Sequence, residues 1–386
     1  MDVFLQLSGS DRVFLEEIFL PAIDEVSLSV SGRSELSDFF KILGLPEIKG
    51  IPERYVQLCE TLGLMGRDVL QVIPPGILKD HIKDAINALQ NTLCETEAAE
   101  YLVTYLSIKR FLQGLQKSCI DPRVLSQLIG STVHETTRSA LNSFMPDEAG
   151  HSDLIRYSMI NTVTGRMTVE TGPQILTAPA EVRKCIKSRY VSGKILQIDI
   201  VSVEPKFALH VSGKTPPKDV YDHIARVILE NRVSRSQAKL ITLCALYGQS
   251  ARKLAEQLPE GVNPRHVIQR TRQFFDSDRL ESRLKSERRN GMIRNVVGRP
   301  IRVLSDDSHR LISYYLQSSA AEGSLLMFAR FIQETDLTCI PLYVIHDALI
   351  LDCEEKSAQR LLDDDHFKFS LGDWEFDAKI KQVGDN

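Results

Sequence analysis

Two stretches of this chain set an acid beside apolar, β-branched residues, and they constrain its fold more than any other feature. Lys194-Ile-Leu-Gln-Ile-Asp199-Ile-Val201 is a short Ile/Val-rich run with an acid near its end. Leu342-Tyr-Val-Ile-His-Asp347-Ala-Leu-Ile-Leu-Asp352 is apolar on both sides of a His-Asp pair. The first reads as a buried strand, the second as two strands folded back at His346-Asp347. Either acid alone could be a helix cap or a turn former. If the two converge, they can hold divalent ions; Mg²⁺ suits such a set, because it takes few carboxylates and completes its shell with phosphate and water.

Between these runs lies Arg235-Ser-Gln-Ala-Lys239-Leu-Ile-Thr-Leu243-Cys-Ala-Leu-Tyr247-Gly248. Arg235, Lys239, Leu243 and Tyr247 recur every fourth residue, a step that drifts only about 40° around an α-helix, so they form one stripe. Two cations, an apolar side chain and a ring would suit a triphosphate, a sugar and a base. The same pattern would also serve an amphipathic helix with solvated cations and a packed Leu243 and Tyr247.

The rest of the chain gives an α+β layout. Residues 1–150 read as mostly helical, with helix-period spacing in Leu36–Leu43, Leu78–Leu93 and Ala98–Leu115, and a turn-rich boundary at Met145–Gly150. Val220–Glu230, Arg235–Leu258 and Pro264–Arg289 are helical in pattern, Met292–Val303 is hairpin-like, and Leu311–Glu334 is a long apolar helix.

Composition removes several classes. With 43% hydrophobic and 25% charged residues the chain is ordinary globular material, and no apolar run approaches the roughly 18–20 residues of a membrane helix. The first segment lacks a basic start and is broken by acids, unlike a secretory signal. Seven cysteines (Cys59, Cys94, Cys119, Cys185, Cys244, Cys339 and Cys353), odd in number and without CxxC, fit a reducing, cytosol-type compartment and argue against a disulfide framework or a zinc knuckle. The net charge of −4 hides a basic block: Arg226 to Arg302 holds 17 Lys and Arg against 7 Asp and Glu. Such a block suits a polyanion, although surface helices can carry the same charge.

In this order the segments resemble family A DNA polymerases, the bacterial DNA polymerase I type. Gln197-Ile-Asp199-Ile-Val-Ser-Val-Glu204 is similar to motif A, the stripe from Arg235 to Gly248 to motif B, and Val344-Ile-His346-Asp347-Ala348-Leu349 to motif C. Thr164-Gly165-Arg166, Gln174, Gly298-Arg299 and Leu316-Gln317 fall in the family's order around them. The likeness spans residues 164–350. Lys109–Lys117 is the best part of a looser match upstream.

The resemblance implies a right-hand polymerase fold with an antiparallel palm sheet and helical thumb and fingers. Its parts would be a helical N-terminal or thumb region (1–150), palm (151–213), fingers (214–293) and palm again (294–386). It implies primer extension with deoxynucleoside triphosphates on a primer–template, using two Mg²⁺ ions or Mn²⁺, in the cytoplasm of a bacterial or phage-infected cell. Asp199, Asp347 and the Ile200 carbonyl would ligate metal. Arg235 and Lys239 would hold the triphosphate, with Lys239 also the acid toward pyrophosphate, and Leu243 and Glu204 would bound the sugar. Tyr247 and Gly248 would meet the templating base. Arg166, Gln174, Gln317, His346 and Arg299 would contact DNA, the first three of these in the minor groove, whose acceptors are alike for every correct pair.

The chain leaves no room for a proofreading or 5′ nuclease ahead of this region, so synthesis without editing is expected unless a separate exonuclease supplies it, and a replication accessory protein is a further candidate partner. Departures from the family pattern are Leu243 for an aromatic, Ala348 for Glu, Val201 for Ser and Ser313 for Asn. Two other readings share these residues. A degenerate relative would bind nucleic acid with weak or no synthesis. A single-subunit RNA polymerase relative is disfavoured by Glu204, which the resemblance places where a ribose 2′-hydroxyl would have to sit.

Overall fold

A computed structural model describes residues 96–248, 251–289, 291–303 and 308–383, with Thr61 and three strands nearer the N-terminus. The chain divides into two compact units, Met1–Tyr105 and Leu106–Asn386. The helical spacing at Leu36–Leu43 and Leu78–Leu93 lies outside the described residues.

In the first unit β1 (Leu5–Ser10), β2 (Arg12–Phe19) and β3 (Ser27–Ser29) form an antiparallel meander. Helix was expected here. Ser8-Gly9-Ser10-Asp11 is turn-forming and parts two runs rich in β-forming side chains, which the apolar spacing alone did not reveal. Helix α1 (Thr96–Gln113) agrees with the expected span.

In the second unit β4 (Cys119–Ile120) is followed by α2 (Pro122–Ser131) and α3 (Glu135–Asn142). Asp121 caps α2 by accepting from Arg123 and Val124 N–H, with Pro122 at a position that needs no donor. Next come β5 (Arg156–Ser158), β6 (Thr168–Thr171), a 3₁₀ turn at Ala180–Cys185 and β7 (Ile186–Lys187), which pairs with β4.

Strand β8 (Lys194–Ile200) runs into α4 (Val203–Val211), and α5 (Val220–His223) continues as a π-turn to Ile228. Helices α6 (Arg235–Tyr247), α7 (Ala251–Ala255), α8 (Pro264–Phe275) and α9 (Ser277–Glu287) follow. The long basic helices expected here are each broken once. Gly248 closes α6 in the left-handed region at φ 68°, where a Cβ would lie 2.5 Å from the His309 ring. Asp276, at φ 54°, separates α8 from α9.

The hairpin β9 (Met292–Arg294) and β10 (Pro300–Arg302) precedes α10 (Ser308–Glu334). After it come β11 (Cys339–Ile345), β12 (Ala348–Cys353), α11 (Glu355–Leu362), β13 (Lys368–Leu371) and β14 (Trp374–Gln382). One sheet organises these pieces, in the order β11-β12-β8-β14-β13, with every neighbour antiparallel. Its central strand β8 buries Ile195, Leu196, Ile198 and Ile200, which is why the run is apolar almost throughout. Helices α4 and α10 pack together on the sheet, with Phe207, Phe328 and Phe376 fully buried among them.

Candidate active site

The two acids meet because β8 and β12 are neighbours. Asp199 pairs with Ala348, and Ile200 N–H donates to the Asp347 carbonyl at 3.0 Å. Asp347 is the second residue of a two-residue turn whose first, His346, is left-handed at φ 54°. That conformation is strained for a non-glycine residue. The turn is braced from the outer edge, where the buried Tyr157 hydroxyl donates to Val344 O at 2.8 Å and accepts from Val344 N–H at 3.2 Å.

Burial raises the Asp347 carboxyl above its ordinary value, and the negative charges of Asp199 and Glu204 add to the shift. A cation in the cleft would relieve that repulsion. Among the described residues no group of three or more His, Cys, Asp or Glu converges. What the cleft offers is a pair of hard carboxylate donors open to solvent, which fits an ion that takes its remaining ligands from phosphate and water.

A cavity of about 650 Å³ opens over the pair. Asp199, Asp347 and His346 line it, with Glu204, Arg166, Gln317 and, from α6, Arg235, Lys239 and Leu243. A Ser234–Gln237 capping box starts α6. The helix buries Ala238, Ile241, Cys244 and Ala245, so the expected stripe is its other face. Leu243 is half-buried at the cleft, and Lys239 is exposed there. Arg235 Nε donates to Asp219 Oδ2 at 2.7 Å, and its guanidinium stacks over Tyr221 at 5.5 Å from the ring centroid. Burial alone would raise the Asp219 carboxyl, but the Arg235 contact leaves it below its ordinary value.

Glu204, on the first turn of α4, joins three segments. Arg166 Nη2 donates to its Oε1 at 2.7 Å, and the Tyr247 hydroxyl donates to its Oε2. Burial first, and the Glu204 carboxylate second, push the Tyr247 hydroxyl well above its ordinary value, so it remains a proton donor to Glu204.

Not every expected residue is at the cleft. Arg299, expected on DNA, is only 3% exposed. It pairs with the fully buried Glu322 at 2.8 Å and donates to Met159 O at 2.8 Å. The structure makes it a support instead: a Cβ on Gly165 would lie 2.8 Å from its guanidinium, so Arg299 underlies the Thr164-Gly165-Arg166 loop. Ile200 is buried, Gly248 ends α6, and Gln174 is tied by its N–H to Ser143 Oγ at 2.8 Å; none of the three lines the cavity. Gln317 does line it, with its amide donating to Ser313 Oγ at 3.0 Å.

Sequence reasoning missed the surroundings of Asp199. Buried Gln197 donates its amide to both carboxylate oxygens, at 2.7 and 2.8 Å, while Arg183 Nη1 donates to the Gln197 carbonyl at 2.7 Å. A lone polar residue two places before Asp199 in an apolar strand was the available signal, since period two puts both on one face.

No family model matches this chain, and no curated protein matches it. Among solved structures it is similar to the POL domain of Pol1 from M. smegmatis in complex with DNA primer-template and dNTP, at TM-score 0.51 and 15% identity, over 92% of this chain and 79% of that one. The likeness is one of fold. Mixed helix and sheet in the arrangement of a polymerase domain is what this chain shares with Pol1. Among the described residues no helix is long and apolar enough to cross a membrane.

Proposed function

We propose that this chain is a template-directed DNA polymerase of the family A type, extending a primer 3′ end with deoxynucleoside triphosphates. The observation that carries the reading is the pairing of β8 with β12, which brings Asp199 and Asp347 to one cleft that Arg235 and Lys239 of α6 also line. In this reading the five-stranded sheet is the palm, α5 to α9 are the fingers, and α1 to α3 belong to the thumb.

Asp199 and Asp347 would hold two divalent ions of the Mg²⁺ class. When bound, these lower the pKa of an attacking hydroxyl and stabilise the leaving pyrophosphate. The chain's own residues do the rest. Lys239 and Arg235 present fixed positive charge to a triphosphate, and charge that is stronger on the transition state than on the substrate accelerates the reaction. Lys239 would also hand a proton to the leaving pyrophosphate. Glu204, fixed by Arg166 and Tyr247, fills the space where a 2′-hydroxyl would sit. Arg166 and Gln317 face the same cleft and would read the acceptors common to all correct pairs.

Primer extension on a primed template with Mg²⁺ and four deoxynucleotides tests the reading. Asp199→Ala and Asp347→Ala should each abolish synthesis while leaving duplex binding largely intact, because affinity rests on distributed phosphate contacts. Substantial synthesis by either variant would overturn the assignment.

A further inference from the structure

The sheet at the base of the cleft carries two lysines that the motifs did not call for. Where β8 pairs with its neighbours, Ala348, Asp199 and Lys379 lie abreast, and Ile350, Gln197 and Lys381 form the next row on the same face. Residues abreast in antiparallel strands share a face and lie close enough to interact. Both lysines line the cavity, and Lys381 Nζ lies 3.3 Å from Asp199 Oδ2.

Asp199 is therefore occupied on two sides. The Gln197 amide holds both of its oxygens, and Arg183 fixes that amide by its carbonyl, so it cannot turn away without leaving Arg183 unpaired. Lys381 is the mobile member, a half-exposed ammonium on a flexible four-carbon stem. An ammonium and a divalent cation carry the same sign of charge and repel one another at a shared oxygen. The position beside Asp199 on the opposite strand is Ala348, so that row holds no second carboxylate to offset the lysines.

We propose that Lys381 is a built-in competitor of the divalent cation at Asp199. It neutralises the carboxylate while no ion is bound and swings aside when one arrives, setting the metal concentration at which the site fills. This rests on Asp199 being a metal ligand, as the proposed function requires.

The test is Mn²⁺ binding to the full chain without DNA or nucleotide, read from the electron paramagnetic resonance signal of free Mn²⁺. Lys381→Gln should tighten Mn²⁺ by about two- to fivefold, the range of a partly exposed ion pair. That gain should shrink as salt is raised. Lys381→Arg keeps the charge and should stay near wild type. Lys368→Gln, which removes a lysine of the same sheet paired with Glu375 at 2.7 Å, should change nothing. Unchanged or weaker binding in Lys381→Gln, with Asp199→Asn clearly weakened, would overturn the competitor and leave the metal assignment standing. Mn²⁺ affinity indifferent to Asp199→Asn would overturn both.

Discussion

The Tyr247 hydroxyl donates to the Glu204 carboxylate, although 43 residues separate them in sequence. Tyr247 ends α6 and Glu204 lies in the first turn of α4, so this one bond ties the helix bearing Lys239 to the helix that follows the strand bearing Asp199. With Arg166 on its other oxygen, Glu204 is held in one orientation at the cleft.

Sugar selection should follow from that rigidity. A fixed carboxylate rejects a 2′-hydroxyl by its bulk, a device that works by excluding the wrong substrate. Glu204→Ala should raise ribonucleotide incorporation relative to deoxyribonucleotide by about 10- to 100-fold while retaining some synthesis. Single-nucleotide extension with each nucleotide type measures it, and equal discrimination in wild type and variant would show that Glu204 is not the gate.

Lys239 is exposed on the cleft side of α6, so its truncation should cost little stability. Lys239→Ala should slow nucleotide addition by about 10²-fold or more, weaken nucleotide affinity and spare DNA binding, because it loses charge aimed at the phosphates. Rapid-quench kinetics with a parallel thermal melt separates this from a packing role, in which stability alone would fall.

Binding to primer–template should weaken with salt, but less steeply than a count of 17 cations suggests. Arg226, Arg232, Arg270, Arg272, Arg283 and Lys285 are already engaged with acids of their own neighbourhood, and Arg299 is buried. Arg252, Lys253, Arg265, Arg289 and Arg302 are exposed. Five phosphate contacts correspond to a loss of about 500-fold between 50 and 200 mM salt. A flat response in a fluorescence-anisotropy titration would mean that these cations are solvated surface.

Tyr157→Phe removes the group that satisfies both backbone atoms of Val344. The site is buried, so about 1–3 kcal/mol of stability should be lost. Because Val344 lies just before the His346-Asp347 turn, extension activity should fall more than the melt alone explains. A melt unchanged from wild type would show that water replaces the hydroxyl.

The sequence by itself determined the local facts: the apolar run ending at Asp199, the His-Asp turn, and the four-residue stripe from Arg235 to Tyr247. Each is a matter of periodicity over a few residues, which the chain displays without reference to anything distant. The same reading failed at Gly248, where one residue ended a helix that apolar spacing alone would have continued. It could not find the Lys381–Asp199 or Tyr247–Glu204 contacts, because strand order and helix placement bring those partners together across long stretches of chain. The fate of Arg299 shows the difference most plainly. As a sequence feature it is a cation in a basic block, expected on DNA. The buried carboxylate of Glu322 made it a structural support, since a charge taken out of water must find its partner wherever the fold provides one.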